Sequence, residues 1–277
     1  MKKRVTVFSE NKSAGIPTTV ITAYDYATAC ILERSDIDSI LIGDSLGMVF
    51  QGNPDPLSVT VDEIIYHTKA VKKGAPSPFL IADMPFLSYH VSVEDTVRNA
   101  GKIIKESGAE AVKIEGGHEI EDMVRALVKA KIPVIGHLGL TPQSVNVFGG
   151  FKVQGKTETA ARQLLDDSLL LQSLGVSALV LECVPEKLAT LITERLDIST
   201  IGIGSGLNTD GQVLVINDIL GLYETVTPKF VKKYGNVGLN IKESIDVYIS
   251  EVRSKQFPDR SHTFSIDDGI IEKIKNR

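Results

Sequence analysis

Four acids in this chain fall where an acid is least expected. Asp44, Asp83, Glu115 and Glu182 each end a short apolar run: Ile40-Leu41-Ile42-Gly43-Asp44, Phe79-Leu80-Ile81-Ala82-Asp83, Ala111-Val112-Lys113-Ile114-Glu115 and Ala178-Leu179-Val180-Leu181-Glu182. A bare carboxylate beside a buried strand costs roughly several kcal/mol unless something pairs with it. Four of them imply a bound cation, a proton-transfer role, or both. Asp44, Asp83 and Glu115 offer hard oxygen ligands of the kind that suits Mg2+, and no Cys pair or His-x-x-His spacing competes for zinc. Taken singly, each acid could be an ordinary strand-end residue paired with an arginine or capping a helix. Taken together, the three favour a shared metal site, with the choice among Mg2+, Mn2+, Co2+ and Zn2+ left open.

Lys113 precedes Glu115 by two, so on a strand both side chains share a face. A lysine aimed among acids suits an anionic substrate. The alternative is a structural ion pair, because buried lysines are rarely left without a partner. Glu182, beside Cys183 and Pro185, lies outside the acid and lysine pattern and is the candidate general base. Apolar neighbours bring a carboxylate's proton affinity nearer the operating pH, as proton abstraction requires; the competing role is a helix N-cap. Ser45 has no His-Asp partner at readable spacing, so it reads as a hydrogen-bond donor or metal-side ligand rather than a nucleophile. His137 ends another apolar run and is equally a substrate-orienting group or a packing residue. His67, His90, His118 and His262 have nothing to single them out. Gly202-Ile203-Gly204-Ser205-Gly206 resembles a phosphate loop, but no helix signal follows it, so it shapes the pocket floor instead.

These residues need elements to position them. Apolar β-type runs recur at residues 18–24, 39–46, 79–85, 111–116, 132–138, 178–184, 200–204 and 212–217, with helical period between most of them, as at 26–34, 61–73, 93–107 and 159–174. Thr60 with Glu63 forms a capping box and Ser92 with Asp95 a weaker start, while Gly74, Gly108 and Gly175 fit helix stops. Continuous apolar runs alternating with amphipathic helices predict parallel strands covered by helices. Eight units favour a closed (β/α)8 TIM barrel over an open sheet, because only a barrel brings the carboxyl ends of four strands to one pocket. Residues 204–211 are too few for a crossover helix and are expected to form a loop. The reading is one barrel domain over 1–277, with a last long helix near 241–256. The tail from about 257 carries Ile266, Ile270, Ile271 and Ile274 and reads as a docking or oligomer segment.

The bulk numbers narrow the partners. A net charge of -5 with no basic block argues against nucleic acid, leaving small molecules as substrates. Two cysteines, Cys30 and Cys183, are too few for a disulfide framework and fit a reducing cytoplasm. The basic start Met1-Lys2-Lys3-Arg4 is not followed by the apolar run of a signal peptide, and nothing approaches a membrane span.

The ordered motifs resemble one family: ketopantoate hydroxymethyltransferase, also called 3-methyl-2-oxobutanoate hydroxymethyltransferase. The likeness rests on Thr22-Ala23-Tyr24-Asp25, Gly43-Asp44-Ser45-Leu46-Gly47, Ala82-Asp83-Met84-Pro85-Phe86 and Glu110-Ala111-Val112-Lys113-Ile114-Glu115-Gly116-Gly117. It continues through Gly136-His137-Leu138-Gly139-Leu140-Thr141-Pro142-Gln143, Leu181-Glu182-Cys183-Val184-Pro185 and Asp210-Gly211-Gln212-Val213-Leu214-Val215. The resemblance implies a (β/α)8 barrel, and hydroxymethyl transfer from 5,10-methylenetetrahydrofolate to 3-methyl-2-oxobutanoate in pantothenate biosynthesis. It implies magnesium ligands at Asp44, Asp83 and Glu115, 2-oxoacid contacts at Asp44, Ser45, Asp83 and Lys113, and a proton acceptor at Glu182. It also implies a cytoplasmic homo-oligomer, usually a decamer. The family pattern has Gln where His90 stands and Ala where Ser205 stands, and it assigns no folate contacts here. The competing readings are a magnesium-dependent 2-oxoacid lyase or aldolase on the same barrel, whose Lys-Lys-Cys-Gly-His type loop is absent, and a non-catalytic metabolite-binding barrel.

Overall fold

The computed structural model describes residues 2–223 and 228–276. Its strands are β1 (Thr18–Thr22), β2 (Ser39–Ile42), β3 (Phe79–Asp83), β4 (Ala111–Glu115), β5 (Val134–Gly139), β6 (Ala178–Glu182), β7 (Ser199–Ile203) and β8 (Gly211–Leu214). They pair in parallel in sequence order, and β8 closes on β1. The closed barrel expected from eight alternating units is the fold observed. The helices are α1 (Thr6–Ala14), α2 (Tyr26–Glu33), α3 (Leu46–Val49), α4 (Val61–Gly74), α5 (Val93–Ser107), α6 (Glu121–Lys129), α7 (Val145–Phe148), α8 (Glu158–Leu174), α9 (Glu186–Arg195), α10 (Ile216–Leu220), α11 (Val237–Arg253) and α12 (Asp268–Lys275). Residues 204–210 join β7 to β8 without a helix, as their short span predicts.

Local chemistry sets several boundaries. Thr60 accepts from the Glu63 backbone while Glu63 reaches back to Thr60, the reciprocal box that starts α4. Ser92 accepts from the Asp95 N–H at the start of α5, and left-handed Gly108 and Gly175 end α5 and α8. Gly74 departs from expectation. It is the last helical residue rather than a left-handed stop, and a Cβ there would lie 2.6 Å from the Tyr26 carbonyl oxygen. Its role is to let α4 press against α2.

The barrel interior follows strand alternation. Phe79 and Ile81, Ala111, Ile135, Ala178 and Val180, Ile201 and Val213 belong to one buried cluster with Val20 and Leu41. Period two then carries Asp83, Lys113, Glu115, His137 and Glu182 onto the same inward face. The amino-terminal end is closed by α1, which the apolar periodicity did not reveal. Phe8, 1% exposed, packs edge-to-face on Phe79 with ring centroids 5.8 Å apart. The Ser199 hydroxyl donates to the Phe8 carbonyl at 2.6 Å. Lysines fasten this segment: Lys3 pairs with Asp38 at 2.7 Å and Lys12 with Asp210 at 2.8 Å. Burying Phe8 contributes about 1.5–3 kcal/mol.

The chain divides into two compact units, Met1–Ile219 with Thr227–Lys232, and Leu220–Val226 with Lys233–Arg277. The first carries the barrel. The second carries α11 and α12, neither of which buries a residue; Ile241, Ile245, Tyr248, Ile270 and Ile274 are among their exposed apolar side chains. The observed α11 begins four residues earlier than the expected helix and ends before Gln256.

Candidate active site

The carboxyl ends of the strands bring the predicted residues together. Register pairs Asp83 with Lys113 across β3 and β4, Glu115 with His137 across β4 and β5, and Gly139 with Glu182 across β5 and β6. Lys113 runs its stem along the apolar interior and sets its ammonium 3.1 Å from Asp83 Oδ1 and 3.5 Å from Glu115 Oε1. It also lies 3.2 Å from His137 Nδ1. Asp44 follows the end of β2 by two residues, and its backbone N–H donates to Asp83 Oδ2 at 3.0 Å. Ser45 is half-buried, its hydroxyl 2.8 Å from the Tyr24 hydroxyl. Both ion pairing and a substrate-facing position are therefore open to Lys113; in the structure it is paired.

The imidazole of His137 bridges the cluster. Its Nδ1 is 3.2 Å from Glu115 Oε1 and its Nε2 is 3.4 Å from Glu182 Oε2. This places His137 in the site rather than in packing. His67, by contrast, meets the Tyr24 carbonyl at 2.6 Å and is structural. Glu182 is not a helix N-cap: α9 starts after Pro185. Glu182 sits before Cys183, whose backbone is left-handed at φ 49, a conformation that costs about 1–3 kcal/mol in a non-glycine residue and recurs at functional sites. Two neighbours hold this turn. Ser205 donates to the Leu181 carbonyl at 2.7 Å and accepts from the Val184 N–H at 3.1 Å, spanning Glu182 and Cys183. Gly139, at φ 93, leaves no room for a Cβ, which would fall 2.2 Å from the Glu182 carbonyl oxygen. The Gly202–Gly206 segment thus braces the turn that carries Glu182.

The electrostatics follow from burial. Desolvation, then the charges of Asp83 and Glu115, raise Asp44 well above the usual carboxylate range. Burial raises Asp83 too, against the pull of Lys113. Burial opposes charge on Glu115, but Lys113 and His137 outweigh it and hold Glu115 below its ordinary value. Burial also opposes charge on Lys113, and the surrounding carboxylates more than reverse that. For His137, burial and Lys113 push down while Glu115 and Glu182 push up, to about 9. Burial, then Glu182, lift the Cys183 thiol to about 11, so it is inert.

Four carboxyl groups thus meet two basic side chains, and the raised Asp44 and Asp83 are the acids that a bound cation would hold ionised. Asp83 Oδ1 is buried and within ion-pair distance of Lys113, yet has no hydrogen bond. Hard oxygens with an unsatisfied buried acceptor fit Mg2+. Among the described residues no three His, Cys, Asp or Glu side chains already stand in a ligating array, and the Lys113 ammonium holds the middle of the acids.

A family model described as ketopantoate hydroxymethyltransferase matches residues 2–260. The chain belongs to the ketopantoate hydroxymethyltransferase family. A 3-methyl-2-oxobutanoate hydroxymethyltransferase from Clostridium botulinum (strain Alaska E43 / Type E3) is 55% identical over 274 residues, covering 99% of this chain and 100% of that protein. One from Acetivibrio thermocellus is 53% identical, covering 96% and 94%. The chain is therefore an enzyme, a transferase. Among solved structures, phosphonopyruvate hydrolase complexed with oxalate and Mg aligns with a TM-score of 0.62 at 11% identity, covering 99% and 95%. A 2,3-dimethylmalate lyase of the PEP mutase/isocitrate lyase superfamily aligns at 0.59 and 14%, covering 95% and 92%. At that identity they share the barrel fold with this hydroxymethyltransferase family member, and no more.

Two participants escaped the sequence reading. Both are buried: Gln143 hydrogen-bonds the carboxylates of Asp44 and Glu115, Tyr89 bonds Gln143 and the Glu115 backbone, and only the position of Gln143 in a family motif hinted at this.

Proposed function

We propose that this enzyme transfers the methylene carbon of 5,10-methylenetetrahydrofolate, as a hydroxymethyl group, to 3-methyl-2-oxobutanoate, giving 2-dehydropantoate and tetrahydrofolate in pantothenate biosynthesis. The observation that carries the reading is the convergence of Asp44, Asp83, Glu115 and Lys113 at one barrel mouth, with Glu182 on their edge 3.4 Å from His137. The names of relatives at 55% and 53% identity support the acceptor.

Asp44, Asp83 and Glu115 would hold a divalent cation, Mg2+ by donor chemistry. That ion supplies positive charge where negative charge develops on the keto oxygen, the differential binding that lowers a barrier. Lys113 and Ser45 bind the carboxylate of the 2-oxoacid, and Asp44 and Asp83 are further contacts of the 2-oxoacid by family resemblance. Glu182 removes the C3 proton and the enolate carbon bonds to the folate-borne methylene carbon; the oxygen of water bonds to the same carbon as its bonds to N5 and N10 break, and the two nitrogens of the departing tetrahydrofolate take up one proton from C3 and one from water. Ser205 braces the turn that carries Glu182, and His137 faces it at 3.4 Å. Glu182 suits this role because it is the least buried of the four acids, with 14% side-chain exposure against 3% for Glu115, so it faces the incoming acid.

We read the chain as a cytoplasmic homo-oligomer, a decamer by family resemblance. The exposed apolar side chains of α11 and α12 support association, and no helix among the described residues is long and apolar enough to cross a membrane.

The test is C3 proton exchange of 3-methyl-2-oxobutanoate in D2O, followed by NMR with and without Mg2+ and without folate. Metal-dependent exchange is the expected result. Absence of exchange with the acid bound would refute both the substrate and the role of Glu182.

A further inference from the structure

The carboxylates of Asp44 and Glu115 are each pinned by one residue that is itself no ligand. Gln143 lies in a 3-10 turn at Pro142–Ser144 after β5 and is 5% exposed. Its side-chain Nε2 donates to Asp44 Oδ2 at 2.7 Å and to the Met84 carbonyl at 3.0 Å. Its backbone N–H donates to Glu115 Oε2 at 3.1 Å. Its Oε1 accepts from the Tyr89 hydroxyl at 2.7 Å, and Tyr89, 1% exposed, accepts in turn from the Glu115 backbone N–H at 3.3 Å.

Both amide hydrogens, the amide oxygen and the phenolic hydrogen are therefore used, and the pattern fixes the orientation of the amide. The Met84 carbonyl can only accept, so nitrogen must face it and the Asp44 oxygen beside it; Tyr89 then donates to oxygen. The Tyr89 hydroxyl also lies 3.2 Å from the Glu115 carbonyl, and its shorter contact is the one to Gln143, so each member of this buried network has a partner. The network ties the loops after β2, β3 and β5 to the end of β4, and it engages one oxygen of Asp44 and one of Glu115 while Glu115 Oε1 faces His137 and Lys113. Partners that orient ligating carboxylates are a recurrent part of metal sites, and their loss costs roughly 10–100-fold in metal affinity.

We infer that Gln143, held by Tyr89, is a positioning residue that presents Asp44 and Glu115 to the cation. This rests on the proposal that those acids hold a divalent metal, and the experiment separates the two. Mn2+ affinity of the full-length protein is measured by electron paramagnetic resonance, for the wild type and for Gln143→Met, Tyr89→Phe and Asp167→Asn. The last removes a buried carboxylate that orders His118 outside the site, at 3.2 Å, and so reports the effect of general loosening. Gln143→Met is expected to weaken Mn2+ binding about 10–100-fold. Tyr89→Phe should weaken it in the same direction by less, and Asp167→Asn should leave it unchanged. Should Gln143→Met not fold, Tyr89→Phe against Asp167→Asn decides. Wild-type affinity in Tyr89→Phe and Gln143→Met, or equal weakening in Asp167→Asn, overturns the inference. A wild-type protein that binds no Mn2+ overturns the metal reading itself.

Discussion

Glu115 and His137 are register partners across β4 and β5, and His137 Nδ1 stands 3.2 Å from Glu115 Oε1. The pairing follows from two strands in step, each delivering an inward residue at its carboxyl end. It ties the acid cluster to Glu182 through a single ring.

The pair has a pH signature in the metal-free protein. His137 is raised from its ordinary 6.5 to about 9, so between those values the folded chain holds more protons than the unfolded one. Its contribution to stability is complete below about 6.5 and is lost as pH rises through about 9. Melting temperature in chelator should fall over that interval, and His137→Gln should flatten the decline. An unchanged slope in the variant would contradict the assignment.

Glu182→Gln should bind 3-methyl-2-oxobutanoate with unaltered affinity and lose C3 exchange by about 10²–10⁴-fold, the span typical of a general base. The amide keeps the shape and discards the basicity. Exchange at the normal rate would move the base elsewhere.

Lys113 is the cation on which the buried acids depend. Lys113→Met strands those charges and should destabilise the metal-free protein by about 3–5 kcal/mol. Added Mg2+ should then raise the melting temperature of the variant more than that of the wild type. Equal shifts would mean the ammonium and the metal do not share the same acids.

Phe8→Ala empties the plug at the opposite end of the barrel and should cost about 3–5 kcal/mol. Because Phe8 lies at the opposite end of the barrel from the carboxylates and meets only the far side of the void that the Lys113 stem lines, C3 exchange per folded molecule should be retained. Denaturant melts and exchange rates on one preparation check both halves.

How much of this was legible in the sequence depended on period. Asp83, Lys113, Glu115, His137 and Glu182 lie on strands, where alternation fixes the face, so their convergence could be read once a barrel was inferred. Gln143 and Tyr89 lie in loops, where no periodicity reports direction, and their role emerged only with three-dimensional neighbours. Helix α1 was hidden for a different reason: only Val7 and Phe8 of its nine residues are buried, too few to show a stripe. Gly74 looked like a helix stop because close helix approach and chain reversal both select glycine, and sequence does not tell them apart.

The seal formed by Phe8 has a further consequence. Above it the barrel interior leaves a void of about 10 Å3, scarcely room for one water molecule, so among the described residues the barrel interior offers no channel past Phe8. In the proposed reaction, both reactants and both products would then pass through the opening at the carboxyl ends of the strands, where Asp44, Asp83, Glu115 and Glu182 stand.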